Sequence, residues 1–160
     1  MLAASGCDQP TLVPAASKIA YGTKIDFGQN GNSTAIKTSG WNTAEEKFTW
    51  SEGPSAVLTV DIVPTDRLVT LTMKMNGLFK EPELPTQPVE VYVNETKVAD
   101  WQVGDIAVFS APVPQNFTTA GGTLTFTFKI PKATSPQVLG KGADPRILGI
   151  CVFEFELSTP

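Results

Sequence analysis

Apolar and polar residues alternate one by one along run after run of this chain. Ala56, Leu58, Val60 and Ile62 share one parity, and Val57, Thr59, Asp61 and Val63 the other. Val69, Leu71, Met73 and Met75 alternate with Thr70, Thr72 and Lys74. Val89, Val91 and Val93 repeat the pattern, as do Leu124, Phe126, Phe128 and Ile130 among Thr123, Thr125, Thr127 and Lys129. The last run sets Gly149, Cys151, Phe153, Phe155 and Leu157 on one side. Successive side chains of a strand point to opposite faces, so a period of two gives one buried and one wet face. No window carries the i, i+3, i+4, i+7 spacing of an amphipathic helix, and Ala44–Lys47 allows one helical turn at most.

Turn signals separate the runs. Asn94-Glu95 reads as a tight turn between two strands, and Pro64-Thr65-Asp66 as the turn of a hairpin joining the runs from Ala56 and from Val69. The segment from Glu81 to Pro88, with three prolines, reads as a stiff surface loop. The fold predicted is all-β: an antiparallel β-sandwich, jelly-roll-like, of about eight or nine strands. Residues 1–18 read as a flexible tail, and 19–160 as one sandwich domain. The expected core includes Leu58, Val60, Leu71, Met73, Val91, Phe126, Phe128, Phe153 and Phe155.

Composition removes several kinds of chemistry. The chain has no histidine, which excludes Ser-His-Asp and Cys-His catalysis and His-ligated zinc. A net charge of −4 disfavours nucleic acid and anionic membrane surfaces as partners. Two cysteines are too few for a disulfide scaffold. Cys151 is expected to be buried among the phenylalanines. Glycosidase chemistry needs two carboxylates facing one bond; Glu45 and Glu46 are adjacent and point apart, while Glu154 and Glu156 read as a solvated strand face. No Asp-rich loop suggests calcium. The chain is therefore read as non-catalytic, with no cofactor and no metal.

The tryptophans remain as binding candidates, because an indole face stacks on the apolar face of a sugar ring. Trp101 alternates with Ala99 and Val103 and is expected in the core, as is Trp50 beside Phe48. Trp41 sits in a polar, turn-prone stretch, Ser39-Gly40-Trp41-Asn42-Thr43, and either folds back on the core or stands ready to stack on a ligand. Glu46 would supply acceptors nearby. Arg146, one of only two arginines, could fork onto sugar hydroxyls, with Asp144 beside it. The competing reading is that Asp144 and Arg146 tie down their own loop, Arg146 reaching a carboxylate such as Glu52. The expected partner is a glycan or envelope polysaccharide. The alternative is a module that contacts other protein subunits.

At the start of the chain, Ala4-Ser5-Gly6-Cys7 resembles the lipobox of bacterial lipoproteins, in which the cysteine is lipidated. Only six residues precede Cys7, fewer than a signal peptide requires. Two readings stand: a lipid anchor at Cys7 on a Pro/Ala-containing tether, or a stray cysteine at a chain end. The first places the domain in the periplasm or at the cell surface, with the lipid as its membrane contact.

Three further blocks carry a wider resemblance: Ile25-Asp26-Phe27; Gly40-Trp41 with Glu46, Phe48, Trp50-Ser51 and Gly53; and Ala133-Thr134-Ser135-Pro136, Leu139-Gly140, Asp144-Pro145-Arg146 and Leu148-Gly149-Ile150. From Ile19 to Leu157 the chain resembles the C-terminal β-sandwich domain of bacterial phosphoglycerol transferases that decorate periplasmic glucans. The third block is the most specific, and the middle of the chain matches only as alternating strands. The catalytic domain of that family has no counterpart in this sequence. The resemblance implies an accessory envelope domain, similar in shape to carbohydrate-binding modules, without transferase activity.

Overall fold

Seven strands of seven to nine residues build the molecule: β5 (Ser55–Ile62), β6 (Val69–Gly77), β7 (Gln87–Val93), β8 (Thr96–Val103), β9 (Ala107–Val113), β10 (Gly122–Lys129) and β11 (Ile150–Ser158). Four pieces of two or three residues precede them: β1 (Ser17–Lys18), β2 (Ile25–Asp26), β3 (Lys37–Ser39) and β4 (Thr49–Trp50). Among the described residues, helix is confined to a 3-10 turn (Ser33–Ala35), α1 (Gln115–Ala120) and α2 (Pro136–Leu139). The structure, a computed structural model, describes residues 17–160. The lipidation reading of Cys7 therefore lies outside the described residues. Ser17 and Lys18, read from sequence as the end of a tail, already pair with Val60 and Asp61.

The strands form two sheets packed as a β-sandwich. One runs β1-β5-β10-β7-β8 with β3 also on β5, and the other β2-β11-β6-β9 with β4 also on β11. Every pairing is antiparallel except β1 with β5. The alternation read from sequence appears as burial: β5 and β6 bury every second residue along their whole length. The inward sets interlock, with the rings of Phe126 and Phe155 meeting edge to face at 5.4 Å. Each such side chain removed from water contributes about 1.5–3 kcal/mol. Asn94 and Glu95 make the β7–β8 turn with φ of 45° and 72°, the left-handed geometry that a two-residue hairpin demands.

Several expectations fail, each for a physical reason. Among the described residues the strands number eleven, because pieces of two or three residues are too short to show alternation in the sequence. The runs from Ala56 and Val69 are not a hairpin; β5 and β6 lie in different sheets, so the Pro64–Asp66 link crosses the sandwich. Gln87 and Pro88 belong to β7 rather than to a loop. Phe153 is half-buried, because a bulge between Val152 and Glu154 adds one residue and reverses the parity of β11. Ile150 and Val152 thus face the core before the bulge, and Phe155 and Leu157 after it. Trp50 is also half-exposed rather than core. Its neighbour Thr49 is the fully buried residue of β4, and the Thr49 hydroxyl donates to the Phe27 carbonyl at 2.7 Å. An inward Thr49 sends Phe48 and Trp50 to the other face.

Candidate functional site

The short strands gather on one side of the sandwich. There β1 and β3 share one edge of β5, while β2 and β4 share one edge of β11. The segment joining β3 to β4 runs along this broken side and carries Trp41. Gly40 makes the approach with φ of 78°. A Cβ at Gly40 would lie 2.0 Å from the Ser55 carbonyl oxygen and 2.7 Å from the Ala56 Cα, so only glycine fits. Beyond it, Trp41 bridges Ser51, the Asn42 amide donates to the Trp50 carbonyl, and the Glu52 amide donates to the Gly40 carbonyl.

Trp41 packs half-buried against the core. Its ring meets Phe27 edge to face at 5.6 Å, and its indole Nε1–H donates to the Val57 carbonyl at 2.9 Å. Trp41 also belongs to the wall of a cleft of about 550 Å³, lined with it by Gln29, Thr34, Lys37, Thr38 and Asn42. Among the described residues, that lining is rich in hydroxyl and amide groups and contains a single charged side chain, Lys37. The Lys37 ammonium lies 3.4 Å from the Thr49 hydroxyl, and burial lowers its pKa from the ordinary lysine value.

The other residues singled out from sequence sit elsewhere. Asp144 and Arg146 close on each other: Nη2 of Arg146 donates to Oδ2 of Asp144 at 2.7 Å, Nε reaches both carboxylate oxygens at 3.1 Å, and the Arg146 amide donates to Oδ1 at 2.9 Å. Those bonds hold the Asp144 carboxyl below its ordinary pKa. Nη1 of Arg146 faces Glu45 at 3.7 Å, whereas the sequence suggested Glu52. Glu46 is exposed and lines a separate groove with Asp26, Lys47, Lys74, Phe153 and Glu154. Trp41, Glu46 and the Asp144–Arg146 pair are thus not brought into one cleft. Sequence reasoning missed Lys37 and Gln29; an isolated polar residue in a three-residue strand or in a turn carries no spacing that would mark it.

Trp101 is core, 6% exposed, with Phe109 and Phe128 against its ring. Cys151 is buried as expected, opposite Trp50 in register, and its thiol is pushed up to about 12, first by burial and then by the Glu45 charge. Among the described residues no helix is long and apolar enough to cross a membrane.

No protein-family model matches the sequence, and no curated protein is similar enough to match it. The likeness to phosphoglycerol-transferase domains stands on the quoted blocks alone. Solved structures are similar over most of the chain's length. One is the carbohydrate-binding module CBM36 in complex with calcium and xylotriose, at TM-score 0.47 and 10% identity, covering 85% of this chain and 99% of that one. A family 35 carbohydrate-binding module from an environmental isolate matches at TM-score 0.41 and 10% identity, covering 92% and 89%. CBM51 from Clostridium perfringens GH95, in complex with methyl-galactose, matches at TM-score 0.41 and 16% identity, covering 91% and 93%. At these identities no ligand-contacting residue carries across to this chain.

Proposed function

We propose that the chain is a non-catalytic glycan-binding domain of the bacterial cell envelope, and that it holds its ligand in the Trp41 cleft. The observation that carries this reading is the combination in one wall: a half-exposed indole, anchored by Phe27 and the Val57 carbonyl, beside Gln29, Thr34, Thr38 and Asn42. A sugar ring offers an apolar C–H face for the indole and hydroxyls for the amides. Asp144 and Arg146 act in this reading as a tie for the loop between α2 and β11, since the guanidinium is already engaged by two carboxylates. The envelope location rests on the sequence likenesses at Cys7 and in the three blocks.

Titration of the wild-type domain with periplasmic glucans, capsule and cell-wall fragments, followed by tryptophan fluorescence or calorimetry, tests the reading. Trp41→Ala is expected to weaken binding by about 1 kcal/mol or more, the scale of an aromatic contact. Trp50→Ala, on the other face, is expected to leave it unchanged. An absence of binding by the wild type at millimolar glycan would overturn the reading in favour of a module that joins protein chains.

A further inference from the structure

The cleft's one charge narrows the ligand. Lys37 is the single charged residue in its lining, and no carboxylate forms an ion pair with Lys37 among the described residues. Its neighbour within the protein is a neutral hydroxyl, that of Thr49, which itself donates to the Phe27 carbonyl. The acidic residue that follows the cleft wall in sequence is drawn away: Glu45 comes after Ala44, and its carboxylate faces Arg146 at 3.7 Å. On a chain of net charge −4, the cleft is a local positive site.

We infer that the Trp41 cleft selects an acidic sugar, a glycan whose ring bears a carboxylate that meets the Lys37 ammonium. The inference rests on the glycan-binding reading and adds the class of ligand to it. A half-buried ammonium without an anionic partner is poorly solvated, and an incoming carboxylate supplies the missing counter-charge. One lysine is a compact point charge suited to one negative charge; a phosphoryl group is more commonly met by a forked guanidinium or several donors together. Burial already lowers the Lys37 pKa, so a bound carboxylate raises it again, and binding takes up charge complementarity that the free protein lacks.

The test compares oligogalacturonate with the same oligomer after reduction of its carboxyl groups, by calorimetry on wild type, Lys37→Met and Lys37→Arg. The wild type is expected to bind the acidic oligomer about tenfold more tightly at low ionic strength, with the margin shrinking as salt screens the pair. Lys37→Met should bind both oligomers alike, at the wild-type affinity for the neutral one, which also shows that the variant is folded. Lys37→Arg should keep the preference. Equal affinity of the wild type for the two oligomers overturns the inference, and so does a preference that survives in Lys37→Met. If the neutral oligomer binds as well as the acidic one and Trp41→Ala weakens both, the glycan-binding reading stands and only this inference falls. Binding of no glycan at all fells both.

Discussion

Trp101 and Trp41 begin with the same contacts and end in different places. Each gives its indole N–H to a backbone carbonyl, Ser110 for Trp101 and Val57 for Trp41, and each rests on phenylalanine rings. Trp101 lies on β8, an eight-residue strand paired along its length with β7, and Phe109 of β9 covers its ring. Trp41 lies where the sheets end in two- and three-residue strands, and among the described residues no strand as long as β9 covers it. Local chemistry is alike at the two sites. The continuity of the neighbouring strand decides whether the aromatic becomes core or remains available to a ligand.

The largest expected effect is on the closed side. Trp101→Ala should cost about 3–5 kcal/mol of stability, the range for emptying a packed aromatic site, and Phe128→Ala should fall in the same class. Trp41→Ala should cost clearly less, about 1–2 kcal/mol, because part of its ring never left water. Urea denaturation of the three variants measures this. Equal losses at the two tryptophans would erase the distinction drawn between the two sides.

Next comes the backbone that delivers Trp41. Gly40→Ala meets both a left-handed φ and a Cβ position only 2.0 Å from the Ser55 carbonyl oxygen. Strain of this kind costs of order 1–3 kcal/mol. The variant should also lose cleft binding, since Trp41 is the next residue. Retained affinity in a destabilised Gly40→Ala would show that the cleft does not depend on this turn.

A smaller effect is expected at Arg146. Arg146→Met removes the tie to Asp144 and the pairing with Glu45, both half-exposed, and exposed ion pairs are worth about 0–1 kcal/mol. A slight fall in melting temperature with unchanged affinity for neutral glycans fits a loop tie. Lost affinity for neutral glycans with intact stability would return Arg146 to the binding site.

The same contrast explains what could be read from the sequence. The long strands were legible because eight or nine residues of alternation leave little choice of face: Leu58, Val60, Leu71, Met73, Val91, Phe126, Phe128 and Phe155 are all buried. One inserted residue defeated the rule at Phe153, since a bulge changes parity without any mark in composition. On the broken side the rule had nothing to act on. Trp50 was assigned to the core through Phe48, but the inward place in β4 is taken by Thr49, a polar residue whose hydroxyl is satisfied by a carbonyl 22 residues earlier. Trp41 stood out because glycine and polar residues flank it, whereas Gln29 of a turn, Thr34 of the 3-10 helix and Lys37 of β3 reach the same cleft, a convergence that only the fold creates.

At neutral pH the smallest effect concerns Cys151, which bears on the boundary between the two sides because it pairs in register with Trp50 on the broken edge. Its thiol is buried at 2% exposure and pushed from an ordinary 9.0 to about 12. The thiolate, not the thiol, is the attacking species, so a folded Cys151 should be inert to alkylating reagents at pH 8. In a Cys7→Ser background, labelling should be absent in the native protein and complete in denaturant. The sign of the pH effect follows from the same shift. Below pH 9 the thiol is neutral in both folded and unfolded chains and contributes no pH dependence. As pH rises from 9 toward 12, the unfolded chain ionises first and is favoured, so stability falls across that window. Replacing Cys151 by alanine should flatten this alkaline decline while removing only a small side chain. Rapid native labelling at pH 8 would mean that the edge made by β4 opens readily, and that the broken side is looser than its hydrogen bonds to β11 imply.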